Sequence, residues 1–329
     1  MTRILNLYRL TLQFLDYYPK FRLEKECLTP RLLSVFIITN IFHLISFLLF
    51  LLEIIRKYEI GAYAYASSTP YVVLQRLEEY AEMAAAGIIR VTAMLTVKHT
   101  SALFRLSYEA WSHHAGQSRK VPMLLSIVVG FLVAITAGHL YTVMKVTSQQ
   151  VWKSEGYNGS FIQSNPVMWI PVHVLGSMTS YTAVPTALSF IVVFGLMFTK
   201  AYKRQCKAAK QLLIQNERSS KCDSDPDFHS VRDMCIGIKI LSRIAKTFHC
   251  VSEVYSFCLI VRCALGCLTI MARLTDYGSV LDVHPMLYEF GFINTFCVLV
   301  LAHAGNLMHR EVRWLCGMGF YGNVLSDWH

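Results

Sequence analysis

The sequence predicts an all-α polytopic membrane protein, and three observations support this fold class. Of 329 residues, 54% are hydrophobic and only 16% are charged, and the mean hydropathy is +0.41, which is too apolar for a soluble domain. The apolar residues fall in runs of about the 20 residues that a helix needs to cross a bilayer. Lys and Arg collect between these runs, as they do in the cytoplasmic loops of membrane proteins.

A basic loop, residues 199–248, sets the predicted orientation. It opens with Lys200 and Lys203 and closes with Arg243 and Lys246. Because Lys and Arg between closely spaced spans are retained in the cytoplasm, we expect this loop on the inner side. The same bias accounts for the formal net charge of +10, so no nucleic acid partner is predicted.

Alternation around this loop predicts a bundle of six spans between residues 32 and 306, with both termini in the cytoplasm. The predicted spans are residues 32–54, 72–97, 122–144, 167–198, 249–272 and 285–306. The fourth is longer than a bilayer requires and contains Pro171 and Pro185, which predicts a tilted or kinked helix that continues into the cytoplasm.

The segments outside the spans carry three further predictions. Residues 1–31 are basic with scattered apolar side chains, which favours a cytoplasmic amphipathic helix on the membrane face, and residues 307–329 form a cytoplasmic tail. Asn158-Gly159-Ser160 is a glycosylation sequon in the predicted outer loop between the third and fourth spans, so Asn158 is a candidate acceptor. The ten cysteines lie in apolar spans or cytoplasmic segments, where mostly free thiols are expected.

Charged and polar residues at membrane depth are the candidate ligand-binding residues, because an ionised group there is costly unless it is paired or hydrated. The candidates are Glu82, Arg90, His173, Tyr181, Arg262 and Glu289. In one interpretation they line a central cavity that binds a ligand. In the other they are interhelical pairs, interfacial aromatic residues or side chains that reach toward the lipid headgroups.

Motifs for catalysis and for cofactors do not occur in the sequence. His303, His309 and Glu311 do not have the spacing that places two imidazoles over one zinc ion, and no Gly-rich phosphate loop follows a strand. A Gly-x-Ser-x-Gly nucleophile motif is also lacking. The sequence therefore predicts no enzyme, no metal site and no cofactor.

The arrangement of spans, basic loop and tail resembles a heptahelical receptor without its first span, so that the six spans correspond to its second to seventh helices. Residues 230–244 resemble the segment before the sixth helix in nematode serpentine chemoreceptors of class epsilon, the Sre family. The matching positions are Asp233, Gly237, Lys239, Leu241, Arg243 and Ile244. Glu289 early in the last span, and Arg310, Arg313 and Trp314 after it, are also similar to that family.

The resemblance implies a chemosensory receptor in the plasma membrane of sensory cells. It implies that a small chemical ligand enters from the outer side and that a helix rearrangement signals to a heterotrimeric G protein through Arg105, Lys239 and Arg243. The basic inner face suits anionic membrane lipids equally well. Phe104-Arg105-Leu106 departs from the usual acidic-Arg-aromatic receptor signature.

An insect-type gustatory or odorant receptor is the alternative function. These proteins are ligand-gated cation channels with a cytoplasmic N-terminus and a long inner loop after the fourth span, as predicted here. Such a channel needs a seventh, pore-lining span. In this alternative the chain is truncated before that span, because too few residues follow the sixth to cross the membrane again.

Overall fold

The computed structural model describes residues 2–20, 29–62, 70–112, 166–219 and 228–277, with isolated residues between 126 and 141 and between 299 and 306. Six helices have defined bounds in this part of the chain: α1 (Thr2–Phe14), α2 (Pro30–Ala62), α3 (Pro70–Leu95), α4 (Val97–Ser112), α5 (Pro166–Ser219) and α6 (Phe228–Tyr277). The described residues contain no β-strand, which confirms the all-α prediction.

Three helices contain segments that are long and apolar enough to cross a membrane: Pro30–Leu52 in α2, Ile170–Lys203 in α5 and Lys239–Ala272 in α6. The α3–α4 pair is a fourth candidate if it counts as one span bent by 69°. These helices fit an integral membrane protein, and the apolar segments of α2, α5 and α6 match the predicted first, fourth and fifth spans. The bent pair overlaps the predicted second span in Arg76–Leu95, but its second half, Val97–Tyr108, lies in the segment predicted as an inner loop. Within the predicted third and sixth spans the structure describes only isolated residues, so neither span is tested.

Helix α5 is the centre of the bundle and packs against α2, α3, α4 and α6. In its apolar segment 94% of the span is buried, compared with 28% in α2 and 39% in α6. Small side chains permit this close packing, as they do in other membrane bundles. At Gly176, a Cβ atom would lie 2.6 Å from the Phe50 Cβ atom and 2.9 Å from the Ser46 carbonyl oxygen, so glycine is required where α2 meets α5.

The bend between α3 and α4 falls at a pair of threonines. Thr92 donates its hydroxyl to the Ile88 carbonyl and Thr96 donates to the Thr92 carbonyl, at 2.7 and 2.6 Å. Threonine hydroxyls that bond back to the preceding turn favour helix bending. The 69° bend turns α4 away from the axis of α3.

The predicted basic loop is mostly helical. Helix α5 continues to Ser219 with Pro171 and Pro185 inside it, and α6 begins at Phe228. The loop is rich in Lys, Arg, Gln and Ala, which are strong helix formers. The two helices therefore extend well beyond the segments that are apolar enough to span.

The N-terminal segment, Thr2–Lys20, lies within the bundle and not apart from it. Leu5, Tyr8 and Leu12 on α1 are buried, and Tyr8 packs against Phe104 of α4 and Phe194 of α5. We predicted an amphipathic helix on the membrane face, which requires one polar side. The structure shows an apolar face that packs into the protein, and the cytoplasmic location of residues 1–31 stays a prediction.

Candidate functional site

The first site is an ion pair between α3 and α6. The Arg262 Nη2 atom lies 3.0 Å from the Glu82 Oε1 atom, and the side chains are only 5% and 16% exposed. Two charges that lie in spans and pair with each other avoid most of the cost of an unpaired ion at membrane depth. The pair is therefore a polar contact within the packing of α3 against α6.

Three further side chains adjoin this pair. Glu78 lies one helical turn before Glu82, with the Thr269 side chain of α6 within hydrogen-bonding reach. Tyr181 of α5 is close enough to Glu82 and Glu79 for an electrostatic interaction with their carboxylates. We call Glu78, Glu82, Tyr181, Arg262 and Thr269 the ion-pair site. It carries two carboxylates and one guanidinium, which suits a ligand with a cationic or hydrogen-bond-donating group.

Arg90 lies two turns beyond Glu82 on α3 and makes different contacts. It is 1% exposed, and its Nη1 atom donates a hydrogen bond of 2.9 Å to the Leu15 carbonyl. Its guanidinium carbon lies 4.3 Å from the centroid of the Tyr17 ring. Within the described part of the chain no carboxylate forms an ion pair with Arg90, and its Nε atom has no hydrogen-bond partner.

The turn that follows α1 forms a second polar site. Asp16 adopts a left-handed backbone with φ of 55°, a conformation that aspartate tolerates better than most residues. Its Oδ2 atom lies 3.2 Å from His43 Nε2, and its carbonyl accepts a hydrogen bond of 3.1 Å from the Asn40 side chain. On the other side Lys20 Nζ lies 3.2 Å from Asp16 Oδ1. We call Leu15–Tyr18 the Asp16 turn.

The charge state of Asp16 follows from these contacts. Burial by itself raises the pKa of the Asp16 carboxyl. The hydrogen bond with His43 and the nearby Lys20 ammonium together lower the pKa by more than burial raises it, so the pKa lies below its ordinary value. Asp16 is thus ionised at neutral pH. Thr179 of α5 lies on the far side of the imidazole, 3.5 Å from His43 Nδ1, so α2 and α5 both contact this site.

The predicted ligand-binding residues fall in different places. Glu82, Arg262 and Tyr181 come together at the ion-pair site, whereas Arg90 contacts the Asp16 turn. The His173 ring packs edge-on against Phe50, with 5.2 Å between centroids, at the contact of α5 with α2. Glu289 and the glycosylation candidate Asn158 lie outside the described residues.

The predicted coupling residues lie on adjacent helices. Arg105 is exposed on α4, which packs against α6. Lys239 and Arg243 are exposed on α6, while Leu241 and Ile244 between and beside them are buried. We call these three exposed basic side chains, Arg105, Lys239 and Arg243, the basic face.

Sequence reasoning missed Asp16, Asn40 and His43. A signal for two of them is present, because Asn40 and His43 are polar, lie in an otherwise apolar run and are three residues apart, which places them on one helical face. Asp16 has no such signal. Its role depends on contacts with residues 24 and 27 positions away.

No metal centre is found in the described ranges, where no three His, Cys, Asp or Glu side chains are close enough to hold an ion. Cys250, Cys258, Cys263 and Cys267 of α6 are free thiols, as predicted for these positions. No protein-family model matches the sequence, and no curated protein is significantly similar to it. The resemblance to the Sre family therefore stays a prediction.

Proposed function

We propose that this chain is a chemosensory membrane receptor, similar to G-protein-coupled receptors, that binds a small chemical ligand at the ion-pair site. The Glu82–Arg262 pair carries the proposal. Ionisable residues inside spans are rare and tend to mark ligand or ion sites. Here the pair joins two different helices at 3.0 Å and is adjoined by Tyr181 of the central helix, so a ligand there contacts three helices at once.

Ligand binding at this site changes the balance between helix arrangements. A ligand with an ammonium group competes with Arg262 for Glu82, and a ligand with a carboxylate competes with Glu82 for Arg262. Either ligand weakens the link between α3 and α6. The arrangement that binds the ligand better becomes more populated, which is the only means by which binding shifts a conformational equilibrium.

Helix α6 connects the site to the basic face. Arg262, Arg243 and Lys239 belong to one uninterrupted helix, and at 1.5 Å per residue the distance from Arg262 to Lys239 is roughly 35 Å. A rotation or tilt of α6 at the ion-pair site therefore moves Lys239 and Arg243. Their positive charge suits an acidic surface of a G protein in the cytoplasm of a sensory cell, and anionic lipid is the competing partner.

The test is ligand-stimulated nucleotide exchange on a heterotrimeric G protein in cells that express the full chain. The probes are a panel of small amines, carboxylic acids and neutral odorants. We expect exchange with at least one probe, and its loss in the double variant Lys239→Glu, Arg243→Glu at unchanged surface expression. Lys207→Glu, an exposed charge on α5, is the matched control and retains the response.

Two results would overturn the proposal. A chain that reaches the cell surface and gives no exchange with any probe is not a coupled receptor. A ligand-evoked cation current that persists without G protein supports the gustatory or odorant channel alternative instead. Glu82→Gln then tests the binding site separately from the type of signal. It should change the response, whether nucleotide exchange or cation current, only if the ion-pair site binds the probe.

A further inference from the structure

The N-terminal segment occupies space between the helices of the bundle. The Tyr8 ring lies 6.1 Å from Phe104 and 6.2 Å from Phe194, and the Tyr18 ring lies 5.0 Å from Phe104. The hydroxyl of Tyr8 is hydrogen-bonded to that of Ser189, and the hydroxyl of Tyr108 to Asn6. The segment is therefore in contact with α4 and α5 along one side.

The opposite side of the same segment is apolar as well. Leu7, Leu10 and Phe14 are each more than half exposed. In a membrane, burial against protein gives apolar side chains little advantage, because lipid tails are as apolar as leucine. A helix with such side chains also binds the membrane interface. Apolar contacts therefore do little to decide between a docked segment and one that lies on the lipid surface.

Polar contacts decide between these two positions, and they are concentrated at the Asp16 turn. Asp16 meets His43 with its carboxylate and Asn40 with its carbonyl, and Leu15 gives its carbonyl to Arg90. The remaining charged group that faces the carboxylate is Lys20, which is 70% exposed and remains available in either position. Three bundle residues thus hold one short turn.

We propose that the N-terminal segment is a displaceable plug, held in the bundle by the Asp16 turn. In the docked position the turn bridges α2, through Asn40 and His43, to α3, through Arg90. In the withdrawn position this bridge is absent, and α2 and α3 keep only their direct contacts and their shared packing against α5. The plug is a property of the chain without ligand, so it stands or falls independently of the receptor function.

The docked position predominates because withdrawal is costly at Arg90. This guanidinium is buried, and among the described residues it is held by its hydrogen bond to the Leu15 carbonyl and by the Tyr17 ring, both in the Asp16 turn. An unsatisfied buried charge is unfavourable. Withdrawal therefore requires water or another acceptor to reach Arg90, which makes the plug a two-position element with a strong preference for one.

The test is amide hydrogen exchange of the full chain in lipid nanodiscs, read at residues 5–18 and at α5. Asp16→Asn removes the charge that His43 contacts. We expect exchange at residues 5–18 to rise by about tenfold or more, the factor that corresponds to loss of a hydrogen bond to a charged group, while α5 keeps its protection. Glu253→Gln is the matched control, because Glu253 forms an exposed pair with His249 on α6 and should have no effect.

His43→Gln is the second variant and addresses the same contact from α2. It should also speed exchange at residues 5–18, and the double variant with Asp16→Asn should add little to either single change. The plug is disproved if both single variants leave exchange at residues 5–18 within about twofold of the wild type. It is equally disproved if exchange rises only together with that of α5, since this means general unfolding and not withdrawal.

Discussion

The ion-pair site and the Asp16 turn both hold charged groups with little exposure to solvent, but these charges have different kinds of partner. At the ion-pair site two full charges from two spans face each other, Glu82 and Arg262. At the Asp16 turn the buried cation, Arg90, donates to a neutral backbone carbonyl, and the half-buried anion, Asp16, contacts both His43 and Lys20. The first site joins α3 and α6, which both belong to candidate membrane spans, and the second joins the N-terminal segment to α2 and α3.

This difference has a consequence for what each site can do. Removal of Glu82 leaves Arg262 with Glu78 as the carboxylate of the site, and removal of Arg262 leaves the two carboxylates Glu78 and Glu82 to repel each other. The Asp16 turn is held by several weaker contacts, and each of them can be lost while the others remain. A strong link between spans suits a site that a ligand competes for, whereas a set of weaker contacts suits a segment that docks and withdraws.

The largest expected effect comes from breaking the ion pair. Glu82→Ala breaks the 3.0 Å contact of the buried Arg262 guanidinium and leaves Glu78 as the carboxylate of the site, and loss of one member of a buried pair costs about 3–5 kcal/mol. Thermal unfolding in nanodiscs should show the loss, with Glu253→Ala as an exposed control of the same residue type. A variant as stable as the wild type would mean that the pair is hydrated and contributes little.

Close contact between α2 and α5 supports the second site, since it places Thr179 beside His43. Gly176→Val introduces side-chain atoms where even a Cβ atom would be 2.6 Å from Phe50, and overpacking of this kind costs about 1–3 kcal/mol. Gly87→Ala is the control, because its nearest contact would be 3.4 Å away. Equal unfolding temperatures for the two variants would contradict this packing.

Substitution of Arg90 by Met should have a smaller effect than that of Glu82 by Ala. It removes a buried cation together with its hydrogen bond, so the remaining cost is the unsatisfied Leu15 carbonyl, about 1–3 kcal/mol. The loss should appear as faster amide exchange in the Asp16 turn. A loss of stability as large as that of Glu82→Ala would show that Arg90 has an anionic partner.

The smallest effect concerns pH. The pKa of Asp16 is lowered from 3.8 in the folded chain, so its contacts stabilise the docked segment above that pH and are lost as the pH falls through the lower folded value. The charged groups facing it are His43, Lys20 and, further off, Arg90. Protection at residues 5–18, taken relative to the intrinsic exchange rate at each pH, should fall below about pH 4 in the wild type and be insensitive to pH there in Asp16→Asn.

The sequence was sufficient to predict the helical class and the apolar segments in α2, α5 and α6, because a 20-residue apolar run permits one structure in lipid. It also singled out Glu82 and Arg262, since charge in a span is conspicuous. The pairing of these two residues was not predicted, because it depends on which helices are neighbours. The position of the N-terminal segment was missed for the same reason, as Arg3, Arg9 and Lys20 gave it the composition of a surface helix.

The most direct test of the central claim is exchange of the two charges within the ion pair. Glu82→Arg combined with Arg262→Glu reverses the pair and keeps both ions. If α3 and α6 are joined by this contact, the double variant should unfold at a temperature closer to that of the wild type than either single variant does. If the losses of the two single variants simply add, the residues do not interact, and the proposed ligand site lacks its foundation.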